Sequence, residues 1–264
     1  MKRILPHYVL SVVLCFMSGL PLCAGESNGV GQITVAAAAD LKFALDDIVL
    51  EFQKQHPGAK IITAYGSSGS LFTQIENGAP FDLFLSADID YPRRLIDRQE
   101  AVADSLFSYA TGRIVVWVPK DSPIDVGKLG VQALLAPSVH KIAIANPEHA
   151  PYGRAAVAAL KNLGVYDKVA DKLVFGENIA QAAQFVESKA ADIGLIALSL
   201  AASPTMKDEG RYWEVPLDAY PRLEQGGVIL ATSKRPGLAR EFRAAITGPQ
   251  GRETLRRYGF ILRE

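Results

Sequence analysis

Residues 64–72 read A-Y-G-S-S-G-S-L-F, and this stretch predicts the end of a strand followed by the start of a helix. Residues 60–65 form a mostly apolar run, and Leu71 and Ile75 have helical spacing. A turn of glycine and serine between a strand and a helix leaves backbone N–H groups and hydroxyls unpaired at the positive end of the helix dipole. Such a turn is typical of a binding site for a small oxyanion.

The same alternation of strand and helix continues along the chain. Short apolar strand patterns, most of them followed by a helical pattern, occur at 32–39, 60–65, 82–86, 113–118, 141–145, 172–175 and 191–198. This alternation predicts an α/β protein with parallel sheets that helices cover. We expect two lobes, with a ligand between them at the carboxyl ends of the strands.

The lobe boundaries follow from two turn-like stretches, at 109–112 and at 220–223. They predict a first lobe of residues 31–110 plus 222–264 and a second lobe of residues 111–221. The length of 264 residues, 49% of them apolar, is enough for two such cores. Equal numbers of basic and acidic residues, 28 of each, argue against a nucleic-acid partner.

Residues 1–24 have the pattern of a secretory signal peptide: Lys2 and Arg3, then a short apolar run, then small residues. We therefore expect an exported protein. Its two cysteines, Cys15 and Cys23, lie in this leader, so the mature chain is expected to have no disulfide and no cysteine metal site. Cleavage after Ala24 or Gly25 fits the pattern better than lipidation at Cys23, because Leu22 occupies a position where a small residue is expected.

Three further strand-to-helix turns share the character of the first one. They are A-A-A-A-D-L-K at 36–42, P-E-H-A-P-Y-G-R at 147–154 and G-E-N-I-A at 176–180. Each offers free N–H groups at a helix start, so we expect their donors to converge on one anion. In the first of them, Asp40 is expected to cap the following helix with its carboxylate.

At these motifs the chain resembles the periplasmic molybdate-binding proteins of ABC importers, along nearly its whole mature length. The segments that carry the resemblance are I-T-V-A-A-A-A-D-L at 33–41, Y-G-S-S-G-S-L-F-T-Q-I-E-N-G-A-P-F-D-L-F-L-S-A-D at 65–88, A-N-P-E-H-A-P-Y-G at 145–153 and G-P-Q-G-R-E-T-L-R-R-Y-G-F at 248–260. The resemblance implies a two-lobed type II periplasmic binding protein fold, with two hinge crossovers, that closes around molybdate or tungstate.

The resemblance also implies four anion-binding residues: Asp40, Ser68, Tyr152 and Ile179. A carboxylate cannot donate to an anion, so Asp40 is expected to act through its N–H alone, whereas Ser68 offers both N–H and hydroxyl. Ile179 is expected to act through its N–H. A tyrosine hydroxyl common in relatives is replaced by Ala197, and we expect the hydroxyl of Tyr152 to reach the ligand in its place.

Uncharged donors suit a fully deprotonated tetrahedral dianion. A protonated phosphate would set its own O–H against another donor, which costs roughly 1–3 kcal/mol. The resemblance therefore implies that molybdate and tungstate bind and that sulfate binds poorly. Sulfate or thiosulfate as the ligand, and an oxyanion sensor for a membrane receptor, stay open as alternatives, because Asp40 and Ala197 depart from the family pattern.

Two other interpretations are weaker. Ser67, Ser68 and Ser70 do not form the G-x-S-x-G elbow of a hydrolase, so no enzyme is predicted. Asp82, Asp88 and Asp90 have a spacing more typical of a strand edge and a helix cap than of a cation site. We expect a monomeric, non-enzymatic periplasmic protein without a cofactor, whose partners are the anion and a membrane permease.

Overall fold

The computed structural model describes residues 31–262. The predicted signal peptide, with Cys15 and Cys23, lies outside the described residues. Within residues 31–262, no helix is both long enough and apolar enough to span a bilayer.

Within residues 31–262, ten strands form two five-stranded sheets, one in each of the two lobes. The first sheet has the order β2-β1-β3-β10-β4 and contains β1 (Gly31–Ala38), β2 (Ala59–Gly66), β3 (Leu83–Ser86), β4 (Phe107–Gly112) and β10 (Leu223–Ile229). The second has the order β7-β6-β8-β5-β9 and contains β5 (Ile114–Pro119), β6 (Ile142–Ala145), β7 (Leu173–Gly176), β8 (Ile193–Ala197) and β9 (Gly210–Glu214).

In the described part of the chain, ten α-helices connect the strands and cover the sheets. They are α1 (Lys42–Gln55), α2 (Ser68–Glu76), α3 (Asp90–Asp97), α4 (Val126–Leu129), α5 (Pro151–Asn162), α6 (Tyr166–Val169), α7 (Ile179–Glu187), α8 (Leu198–Ala201), α9 (Pro236–Thr247) and α10 (Pro249–Arg257). Single 3₁₀ segments cover Ala39–Leu41, Gly130–Leu135, Ala170–Lys172 and Leu217–Ala219.

Both sheets follow one plan. In the first, β1 pairs in parallel with β2 and β3, and β10 pairs antiparallel with β3 and β4. In the second, β6 pairs in parallel with β7 and β8, and β5 pairs antiparallel with β8 and β9. The predicted α/β class is confirmed, and four parallel strands, β1, β2, β6 and β7, end at turns that lead into helices.

The chain passes from the first sheet to the second at Arg113, between β4 and β5. Thr111 and Gly112 therefore belong to the first sheet, so the second lobe begins two residues later than the boundary at residue 111 that we expected. The reason is pairing: the Thr111 N–H donates to the Ile261 carbonyl at 2.7 Å, and Gly112 is in register with Leu223. The return crossing lies between β9 and β10.

Buried apolar side chains fill each lobe. Trp117 and Ile142 are fully buried in the second lobe, and Ile33, Leu45 and Phe242 are fully or almost fully buried in the first. On α1, Leu45, Ile48 and Phe52 are buried and belong to the core of the first lobe. Because each lobe has its own core, the lobes can move relative to each other at the two crossovers.

Candidate functional site

The four turns that follow β1, β2, β6 and β7 meet between the two sheets. They line a cavity of about 10 Å³, bordered by Ala38, Ala39, Asp40, Gly66, Ser67, Ser68, Ala87, Ala150, Pro151, Tyr152 and Ile179. All four residues expected to bind the anion are among them. A cavity of this size is on the scale of one water-sized group, so a tetrahedral anion requires the lobes to part slightly.

At the start of α2, only the first N–H group is left for a ligand. The Ser67 hydroxyl accepts from the Ser70 N–H at 3.3 Å, and the Gly69 N–H donates to the carbonyl of His149 at 2.9 Å. The Ser68 hydroxyl accepts from the Ala87 N–H at 3.0 Å. That bond occupies a lone pair and leaves the hydroxyl proton of Ser68 without an acceptor in residues 31–262.

The start of α7 is arranged in the same way. The side-chain oxygen of Asn178 accepts from the N–H groups of Ala180 and Gln181, at 3.0 and 3.1 Å. The Ala182 N–H donates to the Asn178 carbonyl at 3.1 Å. This N-cap therefore satisfies the later donors of the first turn and leaves the N–H of Ile179, a residue that lines the cavity, without a partner in residues 31–262.

At the start of α5, Pro151 has no N–H, and Gly153 and Arg154 both donate to the carbonyl of Ala150, at 3.0 and 3.1 Å. The N–H of Tyr152 is the one left over. Gly153 is required here because a Cβ at this position would lie 2.2 Å from the carbonyl oxygen of Ala145, at the end of β6. Three helix starts thus each contribute one backbone donor.

The side chain of Asp40 does not cap α1, contrary to the sequence-based expectation. Residues 39–41 form a 3₁₀ turn without a side-chain cap bond, and the carboxylate turns into the protein interior. Its Oδ2 accepts from Nε2 of Gln225 at 2.6 Å and from the Tyr152 hydroxyl at 3.0 Å. The Asp40 carbonyl accepts from the Ser199 hydroxyl at 2.7 Å, so both lobes hold this residue.

The Tyr152 hydroxyl consequently has a different partner from the one expected. Its single proton is donated to Asp40, so the hydroxyl does not replace the donor missing at Ala197 in this arrangement. Ala197 is buried at the end of β8. Gly112 makes room for the hydroxyl, since a Cβ there would lie 2.2 Å from the phenolic oxygen. Tyr152 meets the cavity through its N–H and positions Asp40 through its side chain.

Burial raises the pKa of Asp40 from an ordinary 3.8 to about 6, although hydrogen bonds from Gln225, Tyr152 and its own N–H lower it. Burial also raises the pKa of Tyr152 well above its ordinary value, as does the negative charge of Asp40, so the hydroxyl keeps its proton. Asp40 and Tyr152 are the ionisable side chains of the cavity, which contains no lysine, arginine or histidine.

Polar side-chain contacts outside the cavity also join the two lobes. Arg154 pairs with Asp88 at 2.8 Å, with both side chains partly exposed, and the Ser70 hydroxyl donates to Glu177 at 2.9 Å. Because Arg154 is already paired, it is not a free cation directed at the anion. Asp82 and Asp90 also have other partners, and in the described part of the chain no three metal-binding side chains cluster.

Sequence reasoning missed two residues of this site, Gln225 and Ser199. Gln225 lies on β10 and is fully buried, and Ser199 is buried on α8. Gln225 could have been found from its position in the middle of the strand pattern L-E-Q-G-G-V-I. A buried amide in a strand requires a hydrogen-bond partner, so it indicates a polar group nearby.

A phenylalanine at position 152 tests the contact between Tyr152 and Asp40. Tyr152→Phe removes a donor to the buried carboxylate, so we expect the free energy of unfolding to fall by about 2 kcal/mol at pH 8, where Asp40 is charged, and by about 1 kcal/mol at pH 5. Urea denaturation of the ligand-free protein measures both values. In the control Ser105→Ala, which removes a bond from a buried hydroxyl to the carbonyl of Val102, the loss should be equal at the two pH values. Equal losses for Tyr152→Phe would contradict the contact.

Comparison with known proteins gives consistent results. Residues 33–261 match the family model described as bacterial extracellular solute-binding protein. The chain is 37% identical to the molybdate-binding protein ModA of Azotobacter vinelandii, over 95% of this chain and 97% of that protein. It is 34% identical to ModA of Rhodobacter capsulatus, over 95% of each. The solved structure of the periplasmic molybdate-binding protein of Azotobacter vinelandii superposes with a TM-score of 0.82 at 31% identity, covering 88% of this chain and all of that one.

Proposed function

The chain belongs to the bacterial extracellular solute-binding proteins and, within them, to the ModA family of molybdate-binding proteins. From this premise we propose that it captures molybdate or tungstate and delivers it to the permease of an ABC importer. It is a binding protein and not an enzyme. The four residues proposed to hold the anion are Asp40, Ser68, Tyr152 and Ile179, acting through backbone N–H groups and, at Ser68, also through the hydroxyl.

One observation carries the proposal. At three helix starts, capping bonds satisfy the other first-turn donors and leave the N–H groups of Ser68, Tyr152 and Ile179 at one cavity. Oriented amides at helix N-termini favour an anion, and hydrogen-bond donors pair best with anion oxygens that carry no protons of their own. A tetrahedral dianion meets both conditions.

Residues 1–24 act as the export signal, and the mature protein works in the periplasm as a monomer without a cofactor. Its lobes close on the anion by a hinge motion at the two crossovers. The closed form, with Arg154 joined to Asp88 between the lobes, is the one that docks on the permease.

A calorimetric titration of the mature chain with molybdate, tungstate, sulfate and phosphate tests the ligand. We expect molybdate and tungstate to bind with similar affinity and sulfate and phosphate to bind at least about 100-fold more weakly, a difference of roughly 3 kcal/mol. Stronger binding of sulfate or phosphate than of molybdate would identify another oxyanion as the ligand. No response to any of these anions would refute the proposal.

A further inference from the structure

Asp40 combines two features that a residue at an anion site does not ordinarily have. It lines the cavity although it is only 1% exposed, and its side chain is a carboxylate. Its Oδ2 is held by two donors, whereas its Oδ1 is buried and has no hydrogen-bond partner within residues 31–262. An unpaired carboxylate oxygen in the protein interior is costly and calls for an explanation.

The surroundings of Asp40 offer no positive charge to compensate it. The groups that face it from the packed elements are uncharged side chains: Tyr152 from α5, Tyr109 from β4, Gln225 from β10 and Ser199 from α8. From α7, Ile179 presents its N–H. Lys42 follows on α1, but it is exposed and pairs with Asp46 at 3.2 Å. No lysine or arginine contributes to the shift in the pKa of Asp40.

An ionised Asp40 would repel a dianion in the adjacent cavity. A protonated Asp40 would not, and the proton would turn the unpaired Oδ1 from an acceptor into a donor. Oδ2 would keep its bonds from Gln225 and Tyr152, so the carboxyl group need not move. Proteins do hold carboxylic acids neutral in apolar sites for this purpose, where they donate a hydrogen bond to a negatively charged oxygen.

We propose, on the basis of the proposed function, that Asp40 takes up one proton from solvent when the anion binds and that its Oδ1–H donates to an anion oxygen. Tyr152 and Gln225 are then positioning residues, which hold Oδ2 and thereby direct Oδ1. The free protein already has a raised Asp40 pKa of about 6, so the proton is gained readily near neutral pH. The bound dianion raises that pKa further.

A dependence of affinity on pH follows from this coupling. Above the pKa of the free protein, each bound anion requires one proton, so the dissociation constant should rise about tenfold for each pH unit. This range begins near pH 6 and ends at the pKa of the complex. Below pH 6, Asp40 is already protonated in the free protein, and its contribution to the pH dependence disappears.

Calorimetry of molybdate binding at pH 7.5, in two buffers with different ionisation enthalpies, counts the protons taken up. We expect about one proton for each anion bound by the wild-type protein. Asp40→Asn should bind with almost no proton uptake, because its amide oxygen can accept from Tyr152 and Gln225 while its NH₂ group donates to the anion. Its dissociation constant should change less than about twofold between pH 6.5 and 8.5. The control Asp97→Asn, at an exposed carboxylate of α3, should behave as the wild type does.

Binding of molybdate by the wild type without proton uptake would overturn this inference and leave the proposed function intact. An absence of molybdate binding at every pH would instead refute the proposed function. If Asp40→Asn fails to fold, the count of protons and the pH dependence of the wild type still decide the question.

Discussion

Replacing Ser68 with alanine is expected to weaken molybdate binding about 10- to 100-fold, the largest loss of affinity from any single side chain of the site. The hydroxyl accepts from Ala87 and has its proton free, and a hydrogen bond to a charged group contributes roughly 1.5–3 kcal/mol. The N–H of residue 68 remains in the variant, so binding should be weakened but not abolished. A titration of both proteins with molybdate at one pH and one salt concentration measures the ratio.

The control for this change is Ser203→Ala. Ser203 is also fully buried, but its hydroxyl lies at hydrogen-bond distance from Thr205 and it does not line the cavity. Both variants lose a buried hydroxyl, so both should lower the free energy of unfolding by about 1 kcal/mol. Only Ser68→Ala should change the affinity. An affinity within twofold of the wild type for Ser68→Ala would remove its hydroxyl from the proposed set of donors.

The second large effect is on the stability of the ligand-free protein, which depends on the charge of Asp40. Its pKa is about 6 in the folded state against an ordinary value of 3.8, so the folded protein holds this proton more tightly than the unfolded chain does. The stability that Asp40 contributes is therefore full below pH 3.8 and is lost as the pH rises to about 6. Asp40→Asn cannot ionise and has no such loss.

Relative to the wild type, Asp40→Asn should gain about 2–3 kcal/mol in the free energy of unfolding between pH 4 and pH 7, with no further gain above pH 7. Urea denaturation at a series of pH values measures this difference without ligand. Asp97→Asn should show no comparable change, because its carboxylate is exposed. A difference between Asp40→Asn and wild type that does not vary with pH would contradict the buried environment of Asp40.

Local patterns were sufficient to predict most of the elements and the position of the site. The apolar runs before the four strand-to-helix turns predict β1, β2, β6 and β7, and the turns predict free N–H groups at helix starts, among which the family resemblance implies those of Ser68 and Ile179. These strands and turns could be predicted because each depends on residues that are adjacent in the sequence. The strand β4 was not predicted, since its sequence F-S-Y-A-T-G becomes a strand by pairing with β10, more than 100 residues away.

The direction of the Asp40 carboxylate could not be predicted for the same reason. Local sequence favours a helix cap, but the observed partners are 112 and 185 residues away, at Tyr152 and Gln225. The cavity brings together both lobes, and only their packing decides that the Tyr152 hydroxyl meets a carboxylate instead of a ligand. A glycine at position 112 permits this contact, and nothing in its own neighbourhood indicates that role.

The central claim is that one backbone N–H from each of three helix starts, together with the Ser68 hydroxyl, holds the anion. Crystals of the mature chain grown with molybdate, with data collected above the molybdenum absorption edge, test it directly. We expect one anomalous peak between the lobes, with anion oxygens about 2.7–3.2 Å from the backbone nitrogens of Ser68, Tyr152 and Ile179. An anomalous peak beside surface lysine or arginine side chains, with this cavity empty, would contradict the account.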